Sequence, residues 1–231
     1  GSASTVDVHP GIGCSRMDVH AVCIEPKRNA SLLQEATAAA GDAKNTAAVV
    51  VLVNLQSLGI CDSTGAVERG EEFNPCGYEA EQHDRPRSSP PKLQSEAALA
   101  VLAAAKKAGV PAALVLVGGG GMAIDAYGLH DAADAIVAAG YPGEATGGPA
   151  VAGLLFGRFS PAGKLPYSMM PAQYDVLANF SSMSMAEPPG RSYKYYPTPK
   201  QGKGDGRDEA LPDMLFPFGH GLTFTEWELT L

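Results

Sequence analysis

Carboxylates and basic side chains are concentrated in one short stretch of the sequence, "GYEAEQHDRPRSSPP", at residues 77–91. Charged residues make up only 18% of the chain, so this density is unusual. Paired carboxyl groups perform general acid–base chemistry when their surroundings shift their pKa values apart. The simpler interpretation is a solvated loop held by surface ion pairs, which stabilise a fold very little. The charged side chains in question are Glu79, Glu81, Asp84, Arg85 and Arg87.

A glycine-rich run, "VLVGGGGMAIDA", follows a predicted strand, and Gly118, Gly120 and Ala123 loosely fit the G-x-G-x-x-A turn that binds dinucleotides. That fingerprint also requires a helix next and an acid at the end of the following strand. Here "GLHD" interrupts any helix, and the next strand ends in Gly140 and Tyr141. We therefore expect a tight turn in which the backbone passes close to a neighbouring group. We predict no cofactor.

The four cysteines, Cys14, Cys23, Cys61 and Cys76, lie in loop-like segments. Their even number permits two disulfides in three pairings, of which we favour the pairing of sequence neighbours because it closes short local loops. Zinc is the competing interpretation, but the sequence has no C-x-x-C or H-x-x-x-H spacing, and we predict no metal site. The sequence also has no G-x-S-x-G nucleophile elbow, and its five histidines are scattered.

The composition of the 231 residues excludes several classes of protein. The net charge is −8 and no basic patch is visible, which argues against nucleic-acid binding. The apolar runs are too short to span a bilayer. Sequons at Asn29 and Asn179 are typical of a secreted glycoprotein. The opening Gly-Ser pair is typical of a cloning scar, so we expect that a natural N-terminus has been removed.

Strands and helices alternate along the chain. The apolar runs "AAVVVLVN" and "AALVLVGG" predict two strands buried on both faces of a parallel sheet. "ADAIVAAG" predicts a third, although its alanines also suit a helix. "TVDVHPG" predicts a short strand, and "GKLPYSMM" an edge strand because Pro166 cannot donate a ladder hydrogen bond.

Helical spacing predicts helices in "ASLLQEATAAAGDA", "SEAALAVLAAAKKAG" and "GGPAVAGLLFG". Ser95 is the expected N-cap of the second helix and Gly109 its end. Together these elements predict one α/β domain over residues 1–231, an α/β sandwich in which helices flank a mostly parallel sheet. An irregular C-terminal tail follows from Ala172.

Parallel sheets bind ligands outside the carboxyl ends of their strands. This rule places the loops after Val53, Val117 and Gly140 at one edge of the predicted sheet. The charged stretch belongs to the first of these loops, which is unusually long. Long irregular loops in compact domains are functional or disordered. The position of the loop therefore favours a site over a solvated surface.

Several ordered motifs resemble the second domain of glycoside hydrolase family 3. The main one is "AGYPGEATGGPAVAGLLFGRFSPAGKLPYSM", and the tail segments "PPGRSYKYY" and "LFPFGHGLTFTEWEL" are similar to the end of that domain. "GIGCSRMDVHAVC" resembles a stretch of plant-type xylosidase and arabinosidase members. The charged loop itself is similar to their E-x-E-x-x-D-R pattern, beginning at Glu79.

This resemblance implies that Glu79 is the general acid/base of a retaining β-glycosidase, with Glu81 as its nearest rival. It also implies that the nucleophilic aspartate lies on an N-terminal (β/α)8 barrel, which we do not find in this sequence, so that the isolated chain is inactive. The chain departs from the family in a longer insert after Asn54 and in "PRSSPP", which replaces the usual L-P-G. Both departures affect the assignment of Glu79.

The resemblance further implies a secreted, cell-wall enzyme that acts on xylosides, arabinosides or glucosides. Glu81, Gly119, Gly120 and Glu144 are then the predicted substrate-binding residues, with helix capping as an equal alternative for Glu144. The competing hypothesis is a non-catalytic carbohydrate-binding or interaction module of the same fold, which the altered "DRPRSSPP" segment favours.

Overall fold

A computed structural model describes residues 7–10, 22–25, 30–54, 87–143, 146–197, 211–226 and 228. The strands are β1 (Asp7–Pro10), β2 (Val22–Glu25), β3 (Val49–Asn54), β4 (Ala112–Val117) and β5 (Ala135–Gly140). The helices are α1 (Ala30–Ala40), α2 (Lys92–Ala108), α3 (Leu129–Ala132), α4 (Gly147–Leu155), α5 (Tyr174–Leu177) and α6 (Ser192–Tyr195).

A parallel sheet in the order β3-β4-β5 is the centre of the fold. Val49 lies opposite Ala112, and Ala113 opposite Ala135. The three predicted parallel strands are confirmed, and the alanine-rich "ADAIVAAG" is a strand. The structure also has a small antiparallel pair of β1 and β2, of which the sequence predicted only the first strand. The fold is therefore the predicted α/β class with helices flanking the sheet.

Helix α2 covers one face of the sheet, where it packs against β3 and β4 as well as against α1 and α3. It ends as predicted at Gly109, whose φ of 71° is the left-handed conformation that glycine adopts without strain. The prediction of Ser95 as the N-cap was wrong. The helix begins four residues earlier, with Pro91 at the N-cap position, so Ser95 lies inside it and is fully buried.

The main core lies between α2 and the sheet. Its buried members include Val53, Leu102, Leu114, Leu116, Met122, Ile124, Leu129 and Met169. The prediction that β3 is buried on both faces was wrong: Val53 is fully buried, whereas Leu52 is 64% exposed. Successive side chains of a strand point to opposite faces, and among the described residues α2 packs on one face of β3.

The predicted edge strand "GKLPYSMM" does not join the sheet among the described residues. Instead, the backbone of Leu165 exchanges hydrogen bonds with Gly219 and His220, and Met169 bonds Leu215 and Phe216. Among these described contacts, the pair of Met169 and Phe216 forms an isolated antiparallel bridge. This segment therefore binds the C-terminal tail to the core.

A second, smaller cluster holds the tail together and consists of Tyr174, Ala178 and Tyr196, with Met170 and Met214 packed against it. Within the ranges that the structure describes, no helix has both the length and the apolar character needed to cross a bilayer.

Candidate functional site at the carboxyl edge of the sheet

The carboxyl ends of all three parallel strands meet at one edge of the sheet. Asn54 lies opposite Val117, and Val117 opposite Gly140, where a register shift follows Leu116. The Gly118 N–H donates to the Gly140 carbonyl at 3.0 Å, which joins the loops after β4 and β5. The predicted convergence of the three loops at one edge is therefore confirmed at their first residues.

Both ends of the charged loop are anchored at this edge. At its start, the Asn54 N–H donates to Oε1 of Gln94 in the first turn of α2 at 3.1 Å. At its return, the Ser88 N–H donates to Oδ2 of Asp175 at 2.8 Å, and the Ala123 N–H donates to the Ser88 carbonyl at 3.0 Å. Glu79 and Glu81 lie between these anchors, outside the described residues.

The return of the loop is packed as well as hydrogen-bonded. Ser89 is 7% exposed and Pro90 is fully buried directly before α2. Proline fixes its own φ and restricts the residue before it to extended conformations. The consecutive Pro90 and Pro91 therefore stiffen the path from Ser88 into the helix.

A second aspartate, Asp125, also accepts a backbone hydrogen bond near this edge. The Ala172 N–H donates to both carboxylate oxygens of Asp125, at 3.1 and 3.2 Å. Asp125 follows the glycine-rich turn, and Ala172 leads into α5, which carries Asp175. We call the five residues Ser88, Ala123, Asp125, Ala172 and Asp175 the backbone clamp.

The glycine-rich turn after β4 lies at the same edge. Gly119 is exposed and Gly120 is partly buried, so both predicted substrate-binding glycines are at the surface of this edge or near it. A methyl group on Gly121 would lie 3.4 Å from Cδ2 of Tyr167, which is the predicted close approach of the backbone to a neighbour. The one-turn helix α3 follows at Leu129, in the segment where "GLHD" was expected to interrupt any helix.

The loop after β5 turns back onto α4. A methyl group on Gly147 would lie 2.3 Å from the carbonyl oxygen of Pro142, so only glycine fits this approach. The Ala150 N–H donates to the Thr146 carbonyl at 2.9 Å, which begins the helix. Glu144, the predicted substrate ligand of this loop, lies outside the described residues.

The remaining predictions concern the cysteines, the sequon asparagines and metal binding. Cys23 lies in β2, whereas Cys14, Cys61 and Cys76 lie outside the described residues, so the disulfides stay a prediction. Asn29 is outside the described residues as well. No group of three metal-ligating side chains occurs in the part of the chain that the structure describes.

The sequon asparagine Asn179 lies in an exposed turn. Its Oδ1 accepts the Ser181 N–H at 3.2 Å, and its Nδ2 donates to Glu187 Oε1 at 3.2 Å. Arg191 donates to the Asn179 carbonyl and lies over the ring of Phe180, 5.6 Å from its centroid. The hydrogen bonds from Ser182 and Asn179 hold the pKa of Glu187 below its usual value.

Sequence reasoning missed both aspartates of the clamp. Asp175 and Ser88 are 87 residues apart, and Asp125 and Ala172 are 47 apart. No spacing pattern connects residues so far apart, and Asp175 stands in a segment rich in turn-forming residues. The available signal was indirect, because an aspartate beside a chain reversal often accepts backbone N–H groups.

The sequence profile of the glycosyl hydrolase family 3 C-terminal domain matches residues 5–224. The chain belongs to this domain family. Among relatives of this family 3 domain, probable β-D-xylosidase 7 of Arabidopsis thaliana is 36% identical over 152 residues, which covers 64% of this chain and 17% of that protein. β-Xylosidase/α-L-arabinofuranosidase 1 of Medicago sativa subsp. varia is 36% identical over 119 residues, covering 49% of this chain and 13% of that protein.

Solved structures show the same fold. The family 3 domain matches a family 3 exo-β-xylosidase, solved with a xylobiose aziridine probe, with a TM-score of 0.59 and 24% identity over 87% of this chain and 21% of that chain. A β-D-glucoside glucohydrolase from Trichoderma reesei gives a TM-score of 0.54 and 21% identity, covering 84% of this chain and 23% of that chain. The family 3 domain thus spans about a fifth of these larger proteins.

Proposed function

We propose that the chain is the second domain of a retaining β-glycosidase of the β-xylosidase, arabinosidase or β-glucosidase type, which hydrolyses terminal O-glycosidic bonds. The observation that carries this proposal is the match of residues 5–224 to the family 3 C-terminal domain. The names of the plant relatives support xylosides and arabinosides as the substrate class. The two sequons and the four cysteines support a secreted, disulfide-bonded glycoprotein, which we propose acts in the cell wall.

Glu79 is the proposed general acid/base. Retaining hydrolysis requires two carboxyl groups about 5–5.5 Å apart across the scissile bond. One attacks the anomeric carbon, while the other first gives a proton to the leaving oxygen and then takes one from water. Desolvation and the charge of the nucleophile raise the pKa of the acid. The support for Glu79 is its place in the E-x-E-x-x-D-R pattern of a loop whose two ends are anchored at the carboxyl edge.

The nucleophile is proposed to come from a (β/α)8 barrel domain, in cis or in trans, because this chain has no segment that resembles the family's nucleophile motif. Glu81, Gly119, Gly120 and Glu144 are proposed to line the side of the cleft that this domain supplies. The position of Gly119 and Gly120 at the edge supports this role. The isolated chain is then expected to have negligible turnover.

The test uses the chain joined to a family 3 barrel, with Glu79→Ala beside the matched control Glu81→Ala. Loss of the acid is expected to lower turnover of an unactivated xylobioside by about 10²–10⁴-fold. An activated aryl xyloside needs no protonation, and added azide should then release β-xylosyl azide from the Glu79→Ala protein. Glu81→Ala is expected to raise KM and to form no azide product. Unchanged turnover on Glu79→Ala contradicts the proposal.

A non-catalytic carbohydrate-binding module of the same fold is the second candidate. The departure of "DRPRSSPP" from the family pattern favours it, and the Ser88–Pro91 part of this segment is packed into the domain. This candidate predicts that the isolated chain binds xylo-, arabino- or gluco-oligosaccharides in a calorimetric titration. It also predicts no loss of turnover for Glu79→Ala in the barrel-containing protein.

A further inference from the structure

We propose that Asp175 is a positioning residue for the acid/base loop, because its carboxylate holds the point at which that loop rejoins the domain. This inference rests on the proposed function of Glu79. The Ser88 N–H donates to Asp175 Oδ2 at 2.8 Å, and a hydrogen bond to a carboxylate is shorter and stronger than one between neutral groups.

The clamp binds the two peptide groups that flank the Cα of Ser88. Its N–H is bound by Asp175 and its carbonyl accepts the Ala123 N–H at 3.0 Å. Ala123 belongs to the segment that continues from the glycine-rich turn after β4, and it is fully buried. The point at which the loop rejoins the domain is therefore bound at the same edge of the sheet as Gly119 and Gly120.

Asp175 is itself held in place. Its helix, α5, starts two residues after Ala172, whose N–H is bound by the Asp125 carboxylate at 3.1 and 3.2 Å. Its neighbour Tyr174 is buried and donates its hydroxyl proton to the Gly190 carbonyl at 2.9 Å. These contacts connect the loop after β4 to α5, α5 to Ser88, and Ser88 back to the loop after β4. Each part of the clamp is therefore held by another part.

Of the two anchors of the loop, the one at Ser88 is nearer to Glu79 along the sequence and therefore matters more for its position. Glu79 precedes Ser88 by nine residues, whereas it follows the other anchor, Asn54, by 25 residues. The distance that a chain can span grows with its number of residues, so the nine-residue separation from Ser88 limits the position of the carboxyl group more than the 25-residue separation from Asn54. General acid catalysis requires the acid within about 3 Å of the leaving oxygen, which makes turnover sensitive to a loose anchor.

The experiment compares Asp175→Ala, Asp175→Asn and a control, Asp42→Ala, in the barrel-containing protein. Asp42 accepts the Lys44 N–H at 3.1 Å in an exposed turn after α1, so it matches the chemistry of Asp175 at a site away from the edge. The amide oxygen of asparagine still accepts a backbone proton, so Asp175→Asn is the conservative variant. All comparisons are made where thermal melts show each variant to be folded.

The first readout is amide hydrogen exchange of peptide 86–91, in which Pro86, Pro90 and Pro91 have no N–H and only three amides remain. Asp175→Ala is expected to speed exchange at Ser88 by about tenfold or more, because a charge-assisted hydrogen bond is lost. Asp175→Asn should keep most of the protection and Asp42→Ala all of it. Unchanged exchange at Ser88 in Asp175→Ala overturns the proposal whether or not Glu79 is catalytic.

The second readout separates positioning from general destabilisation. Asp175→Ala is expected to lower kcat on an unactivated xylobioside by about tenfold, with little change in the glycosylation rate of a 2,4-dinitrophenyl xyloside, which needs no acid. Equal losses on both substrates indicate a merely structural role and overturn the proposal. The proposed function is tested separately by Glu79→Ala, so its failure is distinguished from a failure of the clamp.

Discussion

At the scale of single residues, Ser95 combines full burial with a hydroxyl group that has no hydrogen-bond partner among the described residues. The position lies inside α2, where alanine is a better helix former than serine. We expect Ser95→Ala to raise the free energy of unfolding by about 1 kcal/mol, because an unpaired buried hydroxyl is removed. Urea denaturation followed by circular dichroism measures the change.

The sign of that change distinguishes two roles. An N-cap serine loses about 0.5–2 kcal/mol of stability on replacement by alanine, so a loss would restore the N-cap assignment. Ser160 is the matched control, since its Oγ accepts the Phe224 N–H at 2.8 Å. Ser160→Ala is expected to destabilise the chain by about 0.5–1.5 kcal/mol.

The buried hydroxyl of Tyr174 makes the tail sensitive to high pH. Burial raises the pKa of Tyr174 above its usual value of 10.0, partly offset by the nearby charge of Arg191. A raised pKa in the folded state means that its stabilising contribution is complete below pH 10.0 and is lost as the pH rises through the folded-state pKa. Tyr174→Phe lacks this ionisation.

Consequently, the stability advantage of the unmodified chain over Tyr174→Phe should shrink as the pH rises above about 10. Thermal melts of the two proteins across this range measure the difference. At neutral pH the variant should be less stable by about 1 kcal/mol, because the hydrogen bond to the Gly190 carbonyl is lost. A constant difference up to about pH 11 contradicts the assignment.

At the scale of elements, the start of α4 depends on one glycine and not on its neighbour. A methyl group on Gly147 would lie 2.3 Å from the Pro142 carbonyl oxygen, whereas one on Gly148 would meet nothing within 4 Å. Gly147→Ala therefore forces the backbone apart and is expected to cost about 1–3 kcal/mol, a typical penalty for overpacking.

Gly148→Ala is the matched control for this helix start. Alanine has the higher helix propensity, so this variant should be neutral or more stable by up to about 1 kcal/mol. Thermal denaturation of both variants gives the comparison. Similar effects of the two substitutions would contradict the close approach of Pro142 to Gly147.

Local patterns were sufficient for the elements whose burial follows from their own sequence. The apolar runs of β3, β4 and β5 indicated strands and the spacing of α2 indicated a helix. The run of β3 did not show which of its side chains are buried, since Leu52 is exposed. Reasoning failed where a partner distant in sequence decides. "GKLPYSMM" has strand character, but Met169 pairs with Phe216 of the tail, which no local pattern indicates. The prediction for Ser95 failed because the helix already begins at Lys92, directly after Pro91.

The candidate site likewise has one part that the sequence predicted and one part that it did not. The topology rule predicted the shared edge of the three loops, since it depends only on strand order and direction. The aspartates that anchor the charged loop were not predictable, because Asp175 and Ser88 meet only after the tail has folded across the edge. The proposed role of Glu79 rests on the sequence motif and on the anchoring of its loop at this edge.

At the scale of the whole molecule, the tail and the sheet share one core. Met169 is 2% exposed and belongs to the same buried cluster as Leu102 of α2 and Leu114 of β4. Phe216 of the tail packs against this cluster and its backbone bonds that of Met169. We therefore expect residues 165–169 and the tail residues bonded to them to unfold together with the sheet and not before it.

Met169→Ala tests this unity. Truncation of a buried methionine costs about 2–5 kcal/mol, and Met183→Ala, at a position that is 96% exposed, should cost less than about 0.5 kcal/mol. Because the core is shared, Met169→Ala should speed hydrogen exchange equally at the amide of residue 169, to which the tail is bonded, and at the amide of Leu102 in α2. Faster exchange at Met169 alone would mean that the tail opens independently. The clamp would then hold the loop to a separately unfolding element, and loosening the tail would lower catalysis without unfolding the sheet.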